Sequence, residues 1–328
     1  MNKIVIILAI LIIIGGGIGL FLTQTGTDTS YEADPADDAA TETATSSDDV
    51  EAVTEVDDDE ATTEPDTVAM ADEAVLGSSV NGAPITAYHY GSGDDDVVLI
   101  AGLHGAYSPH TTALAEELKT YYEANESDIP ENVRLTIIPL VNPDGAETVF
   151  GTPAVVSAAG EYVVDPLPAL AERVPGRFNA NDVDLNRNFD CNWAPESTWR
   201  GEVVSAGTAP FSEPEAAALR DFVTETEPDA VIFWHSQANN VYASECNAGV
   251  LPETITLMNT YATAGNYGAV ESFDAYPITG DAEGWLASLG IPAVTVELET
   301  FNDIEWDRNL PAIEDVLALY AGSTTTPL

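Results

Sequence analysis

The stretch DVVLIAGL, Asp96 to Leu103, is a near-continuous run of β-branched and other apolar residues, and His104 follows it directly. Runs of this kind are typical of strands that are covered on both faces of a sheet. Three further runs have the same character: Val133 to Val141, Ala230 to Trp234 and Pro292 to Leu298. Together they predict the buried strands of one sheet.

Helical patterns, with apolar residues three and four positions apart, lie between these runs or after them. They cover Thr112 to Glu123, Glu213 to Thr226, Pro252 to Ala264 and Leu310 to Tyr320. Ser212 followed by Glu215, with Pro214 in the first turn, has the pattern of a capping box. We therefore expect one α/β domain, with a mixed and mostly buried sheet sandwiched between helices.

The first 75 residues differ in composition from the rest of the chain. Residues 4–22 are all apolar or glycine and follow Lys3, which is the length that a membrane-spanning helix needs. We expect residues 1–22 to be an uncleaved anchor, with a cleaved signal peptide as the alternative. The lysine on the short side and the acids on the other place the folded part outside the cytoplasm, at the cell membrane.

Acidic residues dominate the segment after this apolar run. Between Thr23 and Glu73 there are 18 Asp or Glu and no Lys or Arg, which predicts a disordered linker over residues 23–75. We predict the folded domain over residues 76–322 and a disordered tail over residues 323–328. The whole chain has a formal charge of −47, so nucleic acid is excluded as a partner. General solubility and adaptation to high salt both explain such a surface.

Cys191 and Cys246 are the only cysteines. An even number in an exported chain favours a disulfide between them over two buried thiols. Such a bridge would join the segment DLNRNFDC to the strand that carries His235.

Polar residues stand where each predicted strand ends. His104 follows the first run, NPDG (Asn142 to Gly145) the second and His235 the third, while Glu297 lies at the end of the fourth. By itself NPDG is typical of a proline-containing turn, and a lone histidine is more often a core residue than a ligand. Their shared position at strand ends instead predicts a site at one edge of the sheet.

These residue types suit metal-assisted hydrolysis. Two imidazoles and a carboxylate form a common zinc set that leaves one position open for water. A separate carboxylate must accept the water's proton, and Glu297, at the end of a buried run, is the candidate. In VDLNRNFD, Val183 to Asp190, adjacent Asn and Arg side chains present a fork of donors for a substrate carboxylate.

With these segments in order, the chain resembles the zinc metallocarboxypeptidases of the carboxypeptidase A/B type from roughly His104 to Tyr320. The most specific segments are GRFNANDVDLNRNF (Gly176 to Phe189), NPDG, and YPITGDAEGWLASLGIPAVTVELE (Tyr276 to Glu299). The resemblance implies a Zn²⁺ cofactor and a peptide substrate with a free C-terminal carboxylate.

The resemblance also implies a role for each matching residue. His104 and His235 resemble the two zinc-binding imidazoles, and Asp184 the residue that orients His104. Asn186 and Arg187 resemble the clamp on the terminal carboxylate of the substrate.

The remaining matches concern catalysis and specificity. Arg177 resembles the cation that stabilises the developing oxyanion, and Tyr276 the mobile tyrosine that closes over the substrate. Glu297 resembles the general base. Glu283 occupies the position of the acid in family enzymes that prefer basic side chains, although an ordinary surface carboxylate is the alternative.

The chain departs from the family at the first zinc motif, which is His, two residues, then Glu. Here Tyr107 stands in place of that Glu, and no acid follows before Glu116. Tyrosine is a poor zinc ligand at neutral pH because its pKa lies near 10. His110 either completes a three-histidine site or lies at the start of a helix beginning at Thr111.

The sequence thus predicts a membrane-tethered, extracytoplasmic zinc metallocarboxypeptidase that uses Glu297 as its base. Two alternatives remain open. One is an amidase that acts on cell-wall peptides, and the other is a non-catalytic protein that binds peptide C-termini.

Overall fold

The computed structural model describes residues 73–153, 166–273 and 276–322. Twelve strands lie in these ranges: β1 (Glu73–Ser78), β2 (Pro84–Tyr90), β3 (Asp95–Ile100), β4 (Val133–Ile138), β5 (Glu196–Trp199), β6 (Glu202–Ser205), β7 (Ala230–Ser236), β8 (Asn240–Ala243), β9 (Glu245–Cys246), β10 (Gly249–Val250), β11 (Gly268–Val270) and β12 (Ala293–Leu298).

The described residues also form seven α-helices. They are α1 (Pro109–Ala124), α2 (Pro143–Phe150), α3 (Leu170–Arg173), α4 (Pro214–Thr226), α5 (Pro252–Gly265), α6 (Ala282–Leu289) and α7 (Trp306–Ala321). The four predicted helices correspond to α1, α4, α5 and α7, so the helical periodicity identified them correctly.

One mixed sheet of eight strands organises the fold. Its order is β1-β2-β4-β3-β7-β12-β8-β11. The four strands predicted from apolar runs, β3, β4, β7 and β12, are neighbours at its centre and run parallel to one another. The outer pairs β1–β2, β2–β4 and β12–β8 are antiparallel.

The sheet is covered on both faces, as the continuous apolar runs predicted. On one face, side chains of α1, α5 and α7 pack with alternate residues of the central strands around the buried Trp234. On the other face, α4 and α6 pack around Phe233 and Phe222. The predicted α/β sandwich around one mixed sheet is therefore confirmed.

The predicted membrane anchor over residues 1–22, nearly all of the acidic linker and the tail over residues 323–328 lie outside the described residues. Strand β1 begins at Glu73, three residues before the predicted start of the domain. No helix among residues 73–153, 166–273 and 276–322 has the length and apolar character to cross a membrane.

The interpretation of NPDG as a simple turn is wrong. Asn142 is the N-cap of helix α2, and its side-chain oxygen accepts a hydrogen bond of 2.8 Å from the backbone N–H of Gly145. Pro143 fits the first helical position, where no backbone donor is needed. The segment therefore begins a helix at the end of β4.

The predicted capping box at Ser212 is also wrong. The residue before helix α4 is Glu213, and no side chain caps it. The Ser212 hydroxyl instead donates to the Glu213 carboxylate, and Glu215 accepts hydrogen bonds from Asn179 and from the backbone of Val80. Ser212 is engaged by its neighbour Glu213 and by Asn188, and Glu215 by distant residues, so neither side chain forms the local cap.

Parallel strands bring their carboxyl ends to one edge of the sheet. At this edge the chain leaves β3 through Gly102, which has a φ of +63° and lies close to Leu140. His104 follows two residues later. His235 is the penultimate residue of β7, and Glu297 is paired with it in register on β12. The predicted rim of polar groups is therefore present in the fold.

Candidate active site

A cavity of about 680 Å³ opens at this edge of the sheet. Its lining includes eight of the residues to which the sequence assigned a catalytic, substrate-binding or metal-binding role: His104, Arg177, Asn186, Arg187, His235, Tyr276, Glu283 and Glu297. The sequence reasoning thus identified side chains that the fold brings together from five separate segments.

The two candidate zinc-binding imidazoles are neighbours. The ring centroids of His104 and His235 are 4.8 Å apart, and both side chains are buried. Burial lowers the pKa of His104 well below its ordinary value, and the positive charge of Arg177 adds to this effect. His104 is therefore neutral near pH 7, which is the form that binds a metal.

A buried carboxylate stands behind each imidazole. Asp184 is fully buried, and its Oδ1 is 3.7 Å from His104 Nδ1, which is longer than a hydrogen bond. Glu283 Oε1 is 3.1 Å from His235 Nε2 and accepts a second hydrogen bond of 2.9 Å from the Thr295 hydroxyl.

The reading of Glu283 as a surface carboxylate is wrong, because only 3% of the residue is exposed. Its burial favours the neutral acid, but the hydrogen bond and charge of His235 outweigh that effect and hold the pKa of Glu283 below its usual value. The Glu283 carboxylate therefore interacts with the His235 imidazole and not with solvent.

Glu297 has the environment expected of a general base. The residue is half-buried, and its Oε2 is buried with no hydrogen-bond partner among the described residues. Burial raises the pKa of Glu297, while the positive charges of His235 and Arg177 oppose the rise. A carboxylate that is poorly solvated accepts a proton more readily than one in water.

Arg177 also lines the cavity, and two contacts fix its orientation. Its Nε donates to Asp184 Oδ2 at 2.8 Å, and its guanidinium group lies 4.5 Å from the ring centroid of Trp199. Burial lowers its pKa, although the Asp184 carboxylate offsets part of that effect. The remaining N–H groups of this cation can reach a developing negative charge in the cavity.

Asn186 and Arg187 lie in a short 3₁₀ turn, Leu185–Arg187, whose start is capped by the Asp184 side chain. Asn186 Oδ1 accepts a hydrogen bond from the Ala282 backbone, so the amide group is held with its donor side free. Arg187 is 3% exposed, and its buried Nε has no partner among the described residues. Both side chains thus retain donors for a carboxylate.

Tyr276 lies at the mouth of the cavity. It is 41% exposed, and its ring contacts Phe273 edge-to-face at a centroid distance of 4.8 Å. An exposed aromatic side chain at a cavity mouth can turn inward without breaking a packed core.

The predicted disulfide is confirmed. Cys191 and Cys246 are bonded, with 6.2 Å between their Cα atoms, and both line the cavity. The bond ties the loop after Arg187 to strand β9. Strand β9 belongs to a separate two-stranded sheet, so the expectation that the bridge reaches the strand that carries His235, β7, is wrong.

Tyr107, which replaces the expected zinc ligand, lies in an aromatic group. Its ring meets Trp199 and Phe301 edge-on, at centroid distances of 5.2 and 5.4 Å. Burial raises the pKa of its hydroxyl above the ordinary value, so the phenol stays protonated. The protonated phenol does not replace a carboxylate ligand.

His110, the alternative third ligand, is not brought to the cavity. It is the second residue of helix α1, buried, and hydrogen-bonded to the backbone of Phe301. Its position agrees with the alternative of a residue at the start of a helix, although that helix begins at Pro109 rather than Thr111.

Sequence reasoning missed several residues of the cavity. Asp281 caps helix α6 through a hydrogen bond to the Gly284 backbone, and burial together with Glu283 raises its pKa to about 6. Thr295 precedes Glu297 by two positions in β12, and that spacing could have placed both on one face of the strand. Trp199 carried no such signal, because its position depends on the β5–β6 hairpin.

The donor set suits zinc, although only in part. His104 Nδ1 and Glu297 Oε2 are both buried without a partner among the described residues, as expected for atoms that await a metal ion and a water molecule. His104 and His235 are ordinary zinc ligands, but Tyr107 stands in place of the carboxylate that usually completes the set. Among residues 73–153, 166–273 and 276–322, however, no three His, Cys, Asp or Glu side chains already stand in metal-binding geometry.

The chain is similar to known peptide hydrolases. A bacterial relative, gamma-D-glutamyl-L-diamino acid endopeptidase 1 of Lysinibacillus sphaericus, is 26% identical over 68% of this chain and 59% of its own length. Murein peptide amidase A of Escherichia coli is 25% identical over 70% of this chain and 82% of its own length. A further relative, from Bacillus subtilis, is matched over only 48% of its length.

Solved structures show the same fold. Carboxypeptidase A from Helicoverpa armigera superposes with a TM-score of 0.59 at 21% identity, covering 78% of this chain and 69% of that one. The family model described as zinc carboxypeptidase matches residues 57–305, well over half of the sequence. The chain therefore belongs to the zinc carboxypeptidase family of peptide hydrolases.

Proposed function

We propose that this chain is a zinc-dependent carboxypeptidase that removes C-terminal residues from peptides on the outer side of a cell membrane. The observation that carries the proposal is the position of Glu297 beside two imidazoles in the cavity that also holds Asn186 and Arg187. The same cavity thus holds the candidate hydrolytic residues and the candidate carboxylate-binding group.

Substrate binding begins with the terminal carboxylate. The planar guanidinium of Arg187 and the side-chain amide of Asn186 present several N–H donors, which suits a group with two equivalent oxygens. Because Arg187 Nε is buried and unpartnered among the described residues, binding of a carboxylate would satisfy a donor that is otherwise costly to bury. This gain favours peptides with a free C-terminus over internal segments.

The chemistry that zinc supplies in such a site is polarisation of the scissile carbonyl and a lower pKa for the attacking water. His104 and His235 would hold the ion. Glu297 accepts the proton of the water on its unpartnered Oε2 and passes it to the leaving amine. Arg177 donates hydrogen bonds to the oxyanion as negative charge develops there.

Two features support placement outside the cytoplasm. The Cys191–Cys246 disulfide is typical of oxidising compartments. The apolar run over residues 4–22, followed by an acidic segment, has the composition of a membrane anchor with a tether. Anchoring in the membrane is part of the proposal.

A second candidate function is hydrolysis of an amide within a cell-wall peptide. It is favoured by the names of two relatives, murein peptide amidase A and gamma-D-glutamyl-L-diamino acid endopeptidase 1. The same centre would serve, because an amide at a γ-carboxyl group presents the same carbonyl to water. The two functions differ in the bond that the carboxylate clamp positions.

The test uses the full chain, purified and then supplied with zinc. Release of a free amino acid from a hippuryl-type dipeptide supports carboxypeptidase action, and cleavage of a γ-D-glutamyl-diamino acid peptide alone supports the amidase. Chelator must abolish either activity. A folded protein that binds these peptides without cleaving them would refute both and favour the non-catalytic alternative.

A further inference from the structure

Arg200 lies at the tip of the hairpin formed by β5 and β6, and it lines the cavity. The two strands are joined by Arg200 and Gly201 alone, which have φ values of +55° and +83°. Positive φ at both central residues is typical of a two-residue hairpin turn. Arg200 is exposed, so the hairpin presents a positive charge to solvent at the cavity.

This positive charge has no carboxylate partner. Within residues 73–153, 166–273 and 276–322, the Arg200 side chain forms no hydrogen bond or ion pair. The four other solvent-accessible cations in these ranges each pair with an acid: Lys119 with Glu116, Arg134 with Asp96, Arg220 with Asp221, and Arg308 with Glu299 and Glu305. In a chain with 56 acids and 9 Lys or Arg, an arginine of the cavity is thus left available for an anion from outside.

Aromatic contacts hold the Arg200 side chain against the cavity wall. Its guanidinium carbon lies 5.4 Å from the ring centroid of Trp199, and that ring meets Tyr107 edge-on at 5.2 Å. Burial raises the pKa of the Tyr107 hydroxyl, and among the arginine charges that oppose this rise Arg200 has the largest effect. The charge of Glu297 acts on the same hydroxyl. The field of Arg200 therefore extends into the part of the cavity that holds the candidate base.

The surroundings of the carboxylate clamp have the opposite charge. The Ala282 N–H donates to Asn186, and Ala282 lies between Asp281 and Glu283, whose side chains both line the cavity. Like charges repel, so these two acids disfavour a second carboxylate on the terminal residue that the clamp binds. A second negative charge is better placed on the residue that supplies the scissile carbonyl.

We propose that Arg200 binds a second carboxylate of the substrate, carried by the residue on the amino side of the scissile bond. The inference rests on the proposed function, since it assumes that Asn186 and Arg187 bind the terminal carboxylate. In an ordinary peptide the second carboxylate is the side chain of Asp or Glu. In a γ-glutamyl amide it is the free α-carboxylate. Arg200 is then the residue that makes the site selective for acidic substrates.

Peptide binding by the full chain tests the proposal without turnover. The protein is stripped with chelator, and dissociation constants are measured by calorimetry for two matched pairs of peptides. One pair is acetyl-Gly-Glu-Ala and acetyl-Gly-Gln-Ala. The other is acetyl-γ-D-glutamyl-alanine with its α-carboxylate free or converted to the amide. The unchanged chain is expected to bind the acidic member of at least one pair more tightly.

Arg200→Asn removes the charge and suits the turn, because Asn before Gly is favoured in two-residue hairpins. It is expected to lose about 5- to 10-fold in affinity for the preferred acidic peptide, which lies between an exposed ion pair and a charge-assisted hydrogen bond. Affinity for the neutral peptide should stay within twofold. Arg200→Lys keeps the charge and should retain most of the preference.

Arg220→Gln is the matched control. Its guanidinium carbon also lies 5.4 Å from an aromatic centroid, that of Phe211, but Arg220 does not line the cavity. The variant changes the net charge by the same amount as Arg200→Asn. It should bind all four peptides within twofold of the unchanged chain.

The outcomes distinguish the inference from the proposed function. Equal losses for acidic and neutral peptides, an equal loss in Arg220→Gln, or no binding of any of the four peptides would overturn the role of Arg200. A preference confined to one pair identifies the source of the carboxylate, either an acidic side chain or a γ-glutamyl residue. If the preference depends on Arg200 but the zinc-supplied chain cleaves no peptide, the proposed function alone fails.

Discussion

The buried, unpartnered Oε2 of Glu297 is the residue-scale feature on which hydrolysis depends. Glu297→Gln removes the proton acceptor but preserves the shape of the side chain, so turnover should fall about 10²- to 10⁴-fold. Steady-state kinetics with a hippuryl-type dipeptide would measure this loss. Affinity for an uncleaved peptide should stay within a few fold, and activity close to that of the unchanged chain would remove Glu297 from the mechanism.

Arg187 gives a second prediction at this scale. Arg187→Lys keeps the positive charge but loses the planar fork, so kcat/KM for peptides with a free C-terminus should fall about 10- to 100-fold, as one or two charge-assisted hydrogen bonds are lost. A peptide with an amidated C-terminus provides the control, since its slow cleavage should not change. Equal losses for both peptides would mean that Arg187 does not bind the terminal carboxylate.

The positions of individual site residues could be predicted from the sequence where those residues lie at the end of a recognisable buried strand. His235 and Glu297 lie near the ends of adjacent parallel strands, and their pairing follows from that arrangement. The contact between Glu283 and His235 could not be predicted, because it depends on how the chain turns between Tyr276 and helix α6. The same holds for Tyr107, whose aromatic neighbours come from distant loops.

At the scale of secondary structure, the cap of helix α2 holds the end of β4 beside the cavity. Asn142 is fully buried, caps Gly145 and also donates to the Arg177 carbonyl at 3.3 Å. Asn142→Ala should therefore lower the free energy of unfolding by about 1–2 kcal/mol, measured by urea denaturation. Asn142→Ser keeps a capping oxygen without burying a charge, so a loss as large as that of alanine would show that the cap is unimportant.

The elements predicted best from the sequence are the strands in which nearly every consecutive residue is apolar and buried. The four apolar runs became the central strands because both faces of each are buried, although β3 ends at Ile100 where Gly102 turns the chain. The short strands β8 to β11 were missed, since two to four residues carry too little periodicity. Ser212 was misread because its hydroxyl is engaged by Glu213 and Asn188. The cap by Asn142 is local, so Asn followed by Pro could have been recognised as the start of a helix.

At the scale of the whole molecule, the Cys191–Cys246 bond links two halves of the site across a sequence separation of 55 residues. In the loop-entropy description, closing a loop of this length contributes about 4 kcal/mol to stability. Replacing both cysteines with serine should lower the free energy of unfolding by an amount of that order. The same variant under reducing conditions should show no further loss, whereas the unchanged chain should.

Charge is the other property of the whole molecule that can be tested. The chain has a formal charge of −47, so its carboxylates repel one another. Salt screens this repulsion, because the Debye length falls from about 10 Å at 0.1 M salt to about 3 Å at 1 M. The melting temperature should therefore rise between about 0.1 and 1 M KCl, as measured by circular dichroism. A melting temperature that does not change with salt would exclude self-repulsion as a limit on stability.

Three arginines line the cavity, the buried Arg177 and Arg187 and the exposed Arg200, in a chain whose charged residues are mostly carboxylates. A peptide approaching with its negative terminus forward first meets a repulsive field and only then an attractive one. Added electrolyte shortens the range of the outer barrier before it weakens the inner contacts. Capture of anionic peptides should therefore become faster as ionic strength increases, the reverse of the usual behaviour for oppositely charged partners.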